Sequence, residues 1–296
     1  MSCLKGAAGQ DRTQPAPPGK LIDVGGGRRV HIYCTGEGRP AVIVASGGFS
    51  FDWGLVQPKI SALTRICTYD SAGTAWSDPL PDGRTPNCTD RVNEMHEWLN
   101  RAGITRPFVL VGFSIGGLVA RLYAARHPDE VAGMVLVDHA FIDTSSNSGP
   151  AASAPAQMAG VDTPPVLISK APIALDMEDD RNFSKLPERD QELHRWALSI
   201  SARPTPEMAA ECFSEVEKAA PHGFPLGDKP VAVVSTPYDS PRYRELQREL
   251  LLLSRNSKQF MAENSMHMVI IDQPETVIQA IERVVAAVRN PSRPLY

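Results

Sequence analysis

Short apolar runs without polar alternation recur along this chain, separated by stretches of helical spacing. Residues 41–45 (AVIVA), 107–111 (PFVLV) and 131–137 (VAGMVLV) are such runs, and they predict strands buried on both faces. Residues 65–69 (RICTY), 231–234 and 258–262 read as three more strands. Ahead of them, residues 20–24 and 28–34 flank Gly25-Gly26-Gly27, which predicts a hairpin. Between the strands, residues 90–101 place Val92, Met95, Trp98 and Leu99 on one helical face, and Gly103 closes that helix. Residues 118–126, 243–254 and 274–288 predict further helices.

The rhythm breaks in the middle. From residue 142 to 228 no clear buried strand can be read. A Ser-, Ala- and Pro-rich stretch comes first, then two amphipathic helical segments at 187–200 and 206–219. Strands alternating with helices on both sides of such a break predict a mostly parallel, doubly wound α/β sheet carrying one helical insertion after its sixth strand. The expected division is a disordered lead over 1–19, a core from 20–140 and 229–290, an insertion over 141–228 and a tail over 291–296.

Candidate chemistry sharpens this picture. Gly112-Phe113-Ser114-Ile115-Gly116, followed by Gly117, is a G-x-S-x-G set between a buried strand and a helix. In that setting the serine sits on a sharp bend, with glycines where side chains would clash and a helix N-terminus beneath its hydroxyl. A phosphate-binding loop would need a Gly-Lys-Ser/Thr ending, which is missing. Ser114 is therefore the candidate nucleophile. Its base is expected to be His267, which follows the strand at 258–262 and so lies at the same carboxyl edge of a parallel sheet; His139 is the competitor, since it too follows a strand end. For the orienting acid there are two candidates, Asp239 beyond the strand at 231–234 and Asp138 at the end of 131–137, with Asp239 preferred. An oxyanion would need two backbone donors. Ile115 is the first, and Gly48, or else Phe49, in the glycine-bearing loop after residues 41–45 is the second.

Composition excludes more than it adds. The 296 residues carry a net charge of −4, which gives no electrostatic reason to expect nucleic acid or an anionic membrane as partner. No apolar run approaches the ~20 residues of a membrane span. The polar, Pro-rich N-terminus is not an intact signal peptide, so a soluble chain is expected, cytoplasmic or exported after loss of an N-terminal segment. Five cysteines without a CxxC pair lack metal-ligand spacing; Cys34 and Cys67, at predicted strands, read as buried small hydrophobes in preference to a disulfide. No metal or organic cofactor is implied.

Together these residues resemble the α/β-hydrolase superfamily over nearly the whole chain after Gly19. Beside the elbow at Ser114, Tyr69-Asp70-Ser71-Ala72-Gly73 with Trp76-Ser77-Asp78 is similar to a Tyr-Asp-x-x-Gly-x-Gly-x-Ser segment of that family. Asn264–Ile278 is similar to its histidine segment. The resemblance implies a triad in the chain order Ser114, Asp239, His267. It also implies a cap over 141–228, with Trp196 and Phe213 as candidate pocket walls or internal packing. Two departures stand out. Ser46-Gly47 replaces the family's His-Gly, and Ser235-Thr236-Pro237-Tyr238 lacks the usual glycine before Asp239, which keeps Asp138 open as acid. A serine at the elbow is not the aspartate that haloalkane dehalogenases and soluble epoxide hydrolases require. The implied activity is cleavage of a small-molecule carboxylic ester through an acyl-enzyme. Alternatives on the same residues are amidase or aminopeptidase, thioesterase, C–C hydrolase, cofactor-free perhydrolase, or a non-catalytic ligand-binding protein.

Overall fold

The computed structural model describes residues 14–143, 166–168, 177–201, 204–219, 223–238 and 240–295. The lead expected up to residue 19 falls mostly outside these, as do Cys3, Asp239 and most of the Ser/Ala/Pro-rich stretch.

Eight strands form one sheet in the order β1-β2-β4-β3-β5-β6-β9-β10: Lys20–Gly25, Arg28–Thr35, Ile66–Tyr69, Val42–Ser46, Phe108–Phe113, Val131–Val137, Val231–Ser235 and Ser257–Met261. The hairpin β1–β2 is antiparallel, and β2 pairs antiparallel with β4; from β4 to β10 every pairing is parallel. The unalternating runs become the inner strands, and β5 is buried at all six of its residues because helices cover both faces. Along the chain the helices are α1 (Gln57–Ser61), α2 (Cys88–Arg101), α3 (Gly116–Arg126), α4 (Glu188–Leu198), α5 (Pro206–Ala219), α6 (Pro241–Glu249), α7 (Val269–Asp272) and α8 (Pro274–Arg289). Asn87 caps α2 by accepting the Asp90 N–H, which starts that helix two residues before the expected residue 90. Two apolar clusters lie on opposite faces of the sheet. One is built on α2 and α3, with Trp98, Leu118 and Tyr123, and the other on α8, with Val277, Ile281 and Val284.

Between β6 and β9 lies the insertion, as expected after the sixth strand. It opens with a short antiparallel pair that the sequence pattern does not disclose, β7 (Phe141–Asp143) and β8 (Val166–Ile168). Three residues each are too few to show a period. Helices α4 and α5 fall where the amphipathic spacing placed them.

The cysteine expectation needs correction. Cys34 and Cys67 form a disulfide, as do Cys88 and Cys212. Cys34 and Cys67 face one another in the β2–β4 register with Cα atoms 4.0 Å apart, a pairing that buried hydrophobic thiols share until the strand order is known. The second bridge ties α5 to α2.

Candidate active site

Ser114 sits at the carboxyl end of β5 with φ +54°, in the left-handed region that non-glycine residues rarely occupy. Its surroundings show why glycines flank it. A Cβ at Gly116 would lie 2.1 Å from the Ala45 carbonyl oxygen, and one at Gly112 would lie 2.6 Å from the Gly117 Cα. The N-terminus of α3 is thereby pressed against β3. The Ser114 N–H donates to Val137 O at 3.0 Å, and Ser114 O accepts the Ala140 N–H, so the bend is fastened to the end of β6.

His267 lies in the turn between β10 and α7 and reaches the same edge. Ser114 Oγ donates to its Nε2 at 3.0 Å, and its Nδ1 donates to Asp138 Oδ2 at 2.5 Å. The imidazole is about one-fifth exposed, Asp138 is fully buried, and the ring of Phe113 stacks on His267 at 5.2 Å. Asp138, like Ser114, has positive φ at the end of its strand, +40°. Its other oxygen lies 3.5 Å from Gln247 Nε2, a donor on α6. Of the two candidate acids, then, Asp138 is the one that meets His267; Asp239 lies outside the described residues.

His139, the competing base, is buried beside Gly117, and neither ring nitrogen is hydrogen-bonded among the described residues. Burial and the nearby Arg121 guanidinium hold its pKa well below the usual histidine value, so it stays neutral. Tyr243 donates to the His139 carbonyl at 2.5 Å. Burial first, then Asp138, pushes the Tyr243 phenol well above its ordinary range. Tyr243 and Gln247 escaped the sequence reading because their partners, His139 and Asp138, lie 104 and 109 residues away along the chain.

The oxyanion side separates the two expected donors. Ile115 N–H makes no hydrogen bond among the described residues. Phe49 N–H is committed to Asp52 Oδ2 at 2.7 Å, whereas Gly48 N–H makes a two-residue bond to Ser46 Oγ at 3.1 Å. A Cβ on Gly47 would lie 2.8 Å from Ile115 Cγ2, so this loop and the elbow are in contact. Ser46, standing where the family has histidine, thus holds the Gly48 amide in place. The alternative donor Phe49 is occupied in this geometry.

One trio among the described residues has metal-ligand chemistry: His96, His127 and Glu130. Glu130 is already paired with Arg106 and accepts the Tyr123 hydroxyl proton, and His96 Nδ1 lies 3.2 Å from that hydroxyl. The trio lies at the far end of α3, roughly 16 Å or more from the elbow at 1.5 Å per residue. Its donors serve a surface network. Among the described residues no helix is long and apolar enough to cross a membrane.

Residues 40–164 match the family model described as the alpha/beta hydrolase fold. The chain has the α/β-hydrolase fold. It is 25% identical over 256 residues to YqjL, an uncharacterised protein of Bacillus subtilis, covering 84% of each chain. A stretch of 94 residues is 37% identical to an uncharacterised protein of Schizosaccharomyces pombe, spanning 32% of this chain and only 17% of that longer protein. Among solved structures, a thermophilic esterase from Thermogutta terrifontis is similar with a TM-score of 0.60 and 19% identity, over 91% of this chain and 98% of that one. A meta-cleavage product hydrolase from Pseudomonas fluorescens IP01 gives 0.58 and 17%, over 93% and 98%. At these identities the structural likeness is one of fold.

Proposed function

We propose that the protein is a serine hydrolase that cleaves carboxylic esters through an acyl intermediate on Ser114. The observation that carries this reading is the unbroken relay from Ser114 Oγ to His267 Nε2 at 3.0 Å, and from His267 Nδ1 to Asp138 Oδ2 at 2.5 Å. Ser114 Oγ attacks the ester carbonyl while His267 Nε2 takes its proton. Ile115 N–H and Gly48 N–H hold the oxyanion, the latter exchanging its bond to Ser46 for one to substrate. The tetrahedral adduct collapses, and His267 returns the proton to the leaving alkoxide, which departs as the alcohol. A water molecule, deprotonated by the same nitrogen, then attacks the acyl group and frees the acid and the serine. Asp138 holds the imidazole in the tautomer with its proton on Nδ1 and stabilises the cation formed in each step. In this reading the insertion between β6 and β9, which carries α4 and α5, is the cap.

The test has two arms. A fluorophosphonate probe should label the wild-type chain and not Ser114→Ala. Turnover of p-nitrophenyl esters should exceed that of matched thioesters and aminoacyl amides; a preference for the amide by more than tenfold overturns the ester reading. Asp138→Asn should lower kcat by about 10²- to 10⁴-fold, because the imidazole then settles in the wrong tautomer. A loss below tenfold there, with a large loss in Asp239→Asn, would return the acid to residue 239.

A further inference from the structure

The two loops that carry the chemistry are each fastened by one aspartate, and each aspartate is gripped by a side chain of the insertion. Asp52, in the single turn Ser50–Trp53 after the oxyanion loop, is fully buried. Its Oδ2 accepts the Phe49 N–H at 2.7 Å, so close to the loop that a Cβ on Gly48 would lie 2.4 Å from that oxygen. Its Oδ1 accepts from Nδ1 of His194 on α4, also buried, at 2.7 Å. Asp272, at the end of α7, does the same for the histidine loop. Its Oδ2 accepts from Ser265 Oγ and from the Met266 N–H, both at 3.0 Å, directly before His267. Its Oδ1 accepts from Asn182 Nδ2 at 2.6 Å. Apolar contacts hold the first grip shut, because Leu193 and Ala197 of α4 pack on Phe49, Phe51 and Trp76. Phe49 meets the His194 ring edge-on at 5.4 Å.

A carboxylate that spends one oxygen on a loop and the other on a second segment has its rotamer set by both. Deleting the second donor leaves one carboxylate oxygen short of a partner, which is relieved only if the carboxylate turns or draws in water. Either response loosens the loop. We propose that residues 177–198 act as a positioning strap: His194, through Asp52, sets the oxyanion loop, and Asn182, through Asp272, sets the loop that presents His267. Both are positioning residues, since neither lies on the relay itself. The inference rests on the acyl-transfer reading and adds to it what the first half of the insertion does.

Kinetics per active site, titrated with the fluorophosphonate, test the strap on the full chain. His194→Leu removes the donor and retains bulk; kcat should fall about 10- to 100-fold, less than the loss of an oxyanion donor itself, with KM within about threefold. His194→Asn places an N–H where Nδ1 stands and should recover turnover to within about threefold of wild type. Asn182→Ala should cost about tenfold, and the double variant should show the product of the single losses, because the two loops are fastened separately. Hydrogen–deuterium exchange supplies a readout independent of activity: His194→Leu should speed exchange at residues 47–49, and Asn182→Ala at 265–267, each at its own loop. A purely structural role would lower melting temperature and the number of titratable sites, leave kcat per site unchanged, and make Asn no better than Leu at 194; that pattern overturns the strap, as does unchanged exchange at both loops. A wild-type chain that neither labels nor turns over defeats the acyl-transfer reading instead, and the exchange measurements then decide the strap alone. Should His194→Leu not fold, the half-buried Asn182 position carries the same decision.

Discussion

The two helical halves of the insertion are joined to the core by different physics. Helix α4 meets the ends of the loops that hold the chemistry through polar pairs, His194 with Asp52 on the helix and Asn182 with Asp272 just before it. Helix α5 instead lies along α2 and α3, buries Met208, Ala209 and Val216 in the larger apolar cluster, and is bonded covalently through Cys88–Cys212; its polar pairs, Arg121–Glu217 and Arg126–Glu215, join it to α3 and touch neither loop. Its aromatic Phe213 packs on that cluster, whereas Trp196 of α4 packs on Trp76 of the core, the rings 4.9 Å apart and tilted by 37°. A polar pair transmits position and responds to pH. An apolar face with a disulfide, whose ion pairs end on α3 and not on either loop, resists unfolding without setting a loop's position. The strap proposal therefore couples one half to turnover and the other to stability, so that each should be open to damage without the other.

Damage to the joint between the first half and the core should be largest at the buried Asp52 carboxylate. Asp52→Ala removes the acceptor of the Phe49 N–H and of His194 Nδ1 at a buried position. It should cost about 3 kcal/mol of stability and tenfold or more in kcat per titrated site, read by urea denaturation and by the esterase assay. Burial pushes this carboxyl above its usual range while the neighbouring imidazole pulls it down, so Asn at 52, which still offers one acceptor, should be milder than Ala. On the second half the balance inverts. Cys88→Ser with Cys212→Ser opens a link between residues 124 apart and should lower stability by about 2–4 kcal/mol, with kcat per active site within twofold at a temperature where the protein stays folded. A tenfold kcat loss in that double variant would erase the contrast between the halves.

How much of this was legible in the chain follows from how local each signal is. The elbow at Ser114 is a strand, a bend and a helix in consecutive residues, so its glycines and apolar run disclose it without tertiary knowledge. His267 is legible because β10 precedes it and parallel strands end at one edge. That same rule cannot choose an acid: β6 and β9 are neighbours ending side by side, and only the backbone turn at Asp138 decides which carboxylate faces the imidazole. Phe49 was legible as an oxyanion-loop residue, but not as one whose amide is taken, since that depends on a single turn through Asp52. The helices of the insertion show their period. Their docking does not, because His194 and Asp52 are 142 residues apart and no pattern along the chain links them.

The smallest effect gives the sharpest contrast. Asp190, also on α4, lies with its carboxylate against the core at Gly54, where a Cβ would meet Oδ2 at 2.2 Å. Burial pushes its pKa up to about 6; Asp52 adds to this and Arg189 opposes it. A carboxyl whose folded pKa exceeds its unfolded value favours the fold when protonated. That contribution is present below about pH 3.8 and is lost as pH rises through about 6, so at pH 7.5 the charged Asp190 weakens the docking of α4. Asp190→Asn should remove the penalty, raising stability at pH 7.5 by about 1 kcal/mol once the group's partial exposure is discounted, with no gain at pH 3.5. Denaturation at the two pH values measures the difference. An equal gain at both would assign the effect to packing, and no gain at pH 7.5 would show that water reaches the carboxylate and that α4 docks more loosely than α5. In the chain lacking Cys88–Cys212 the same pH-dependent gain should persist, because the groups behind it all lie on the α4 side.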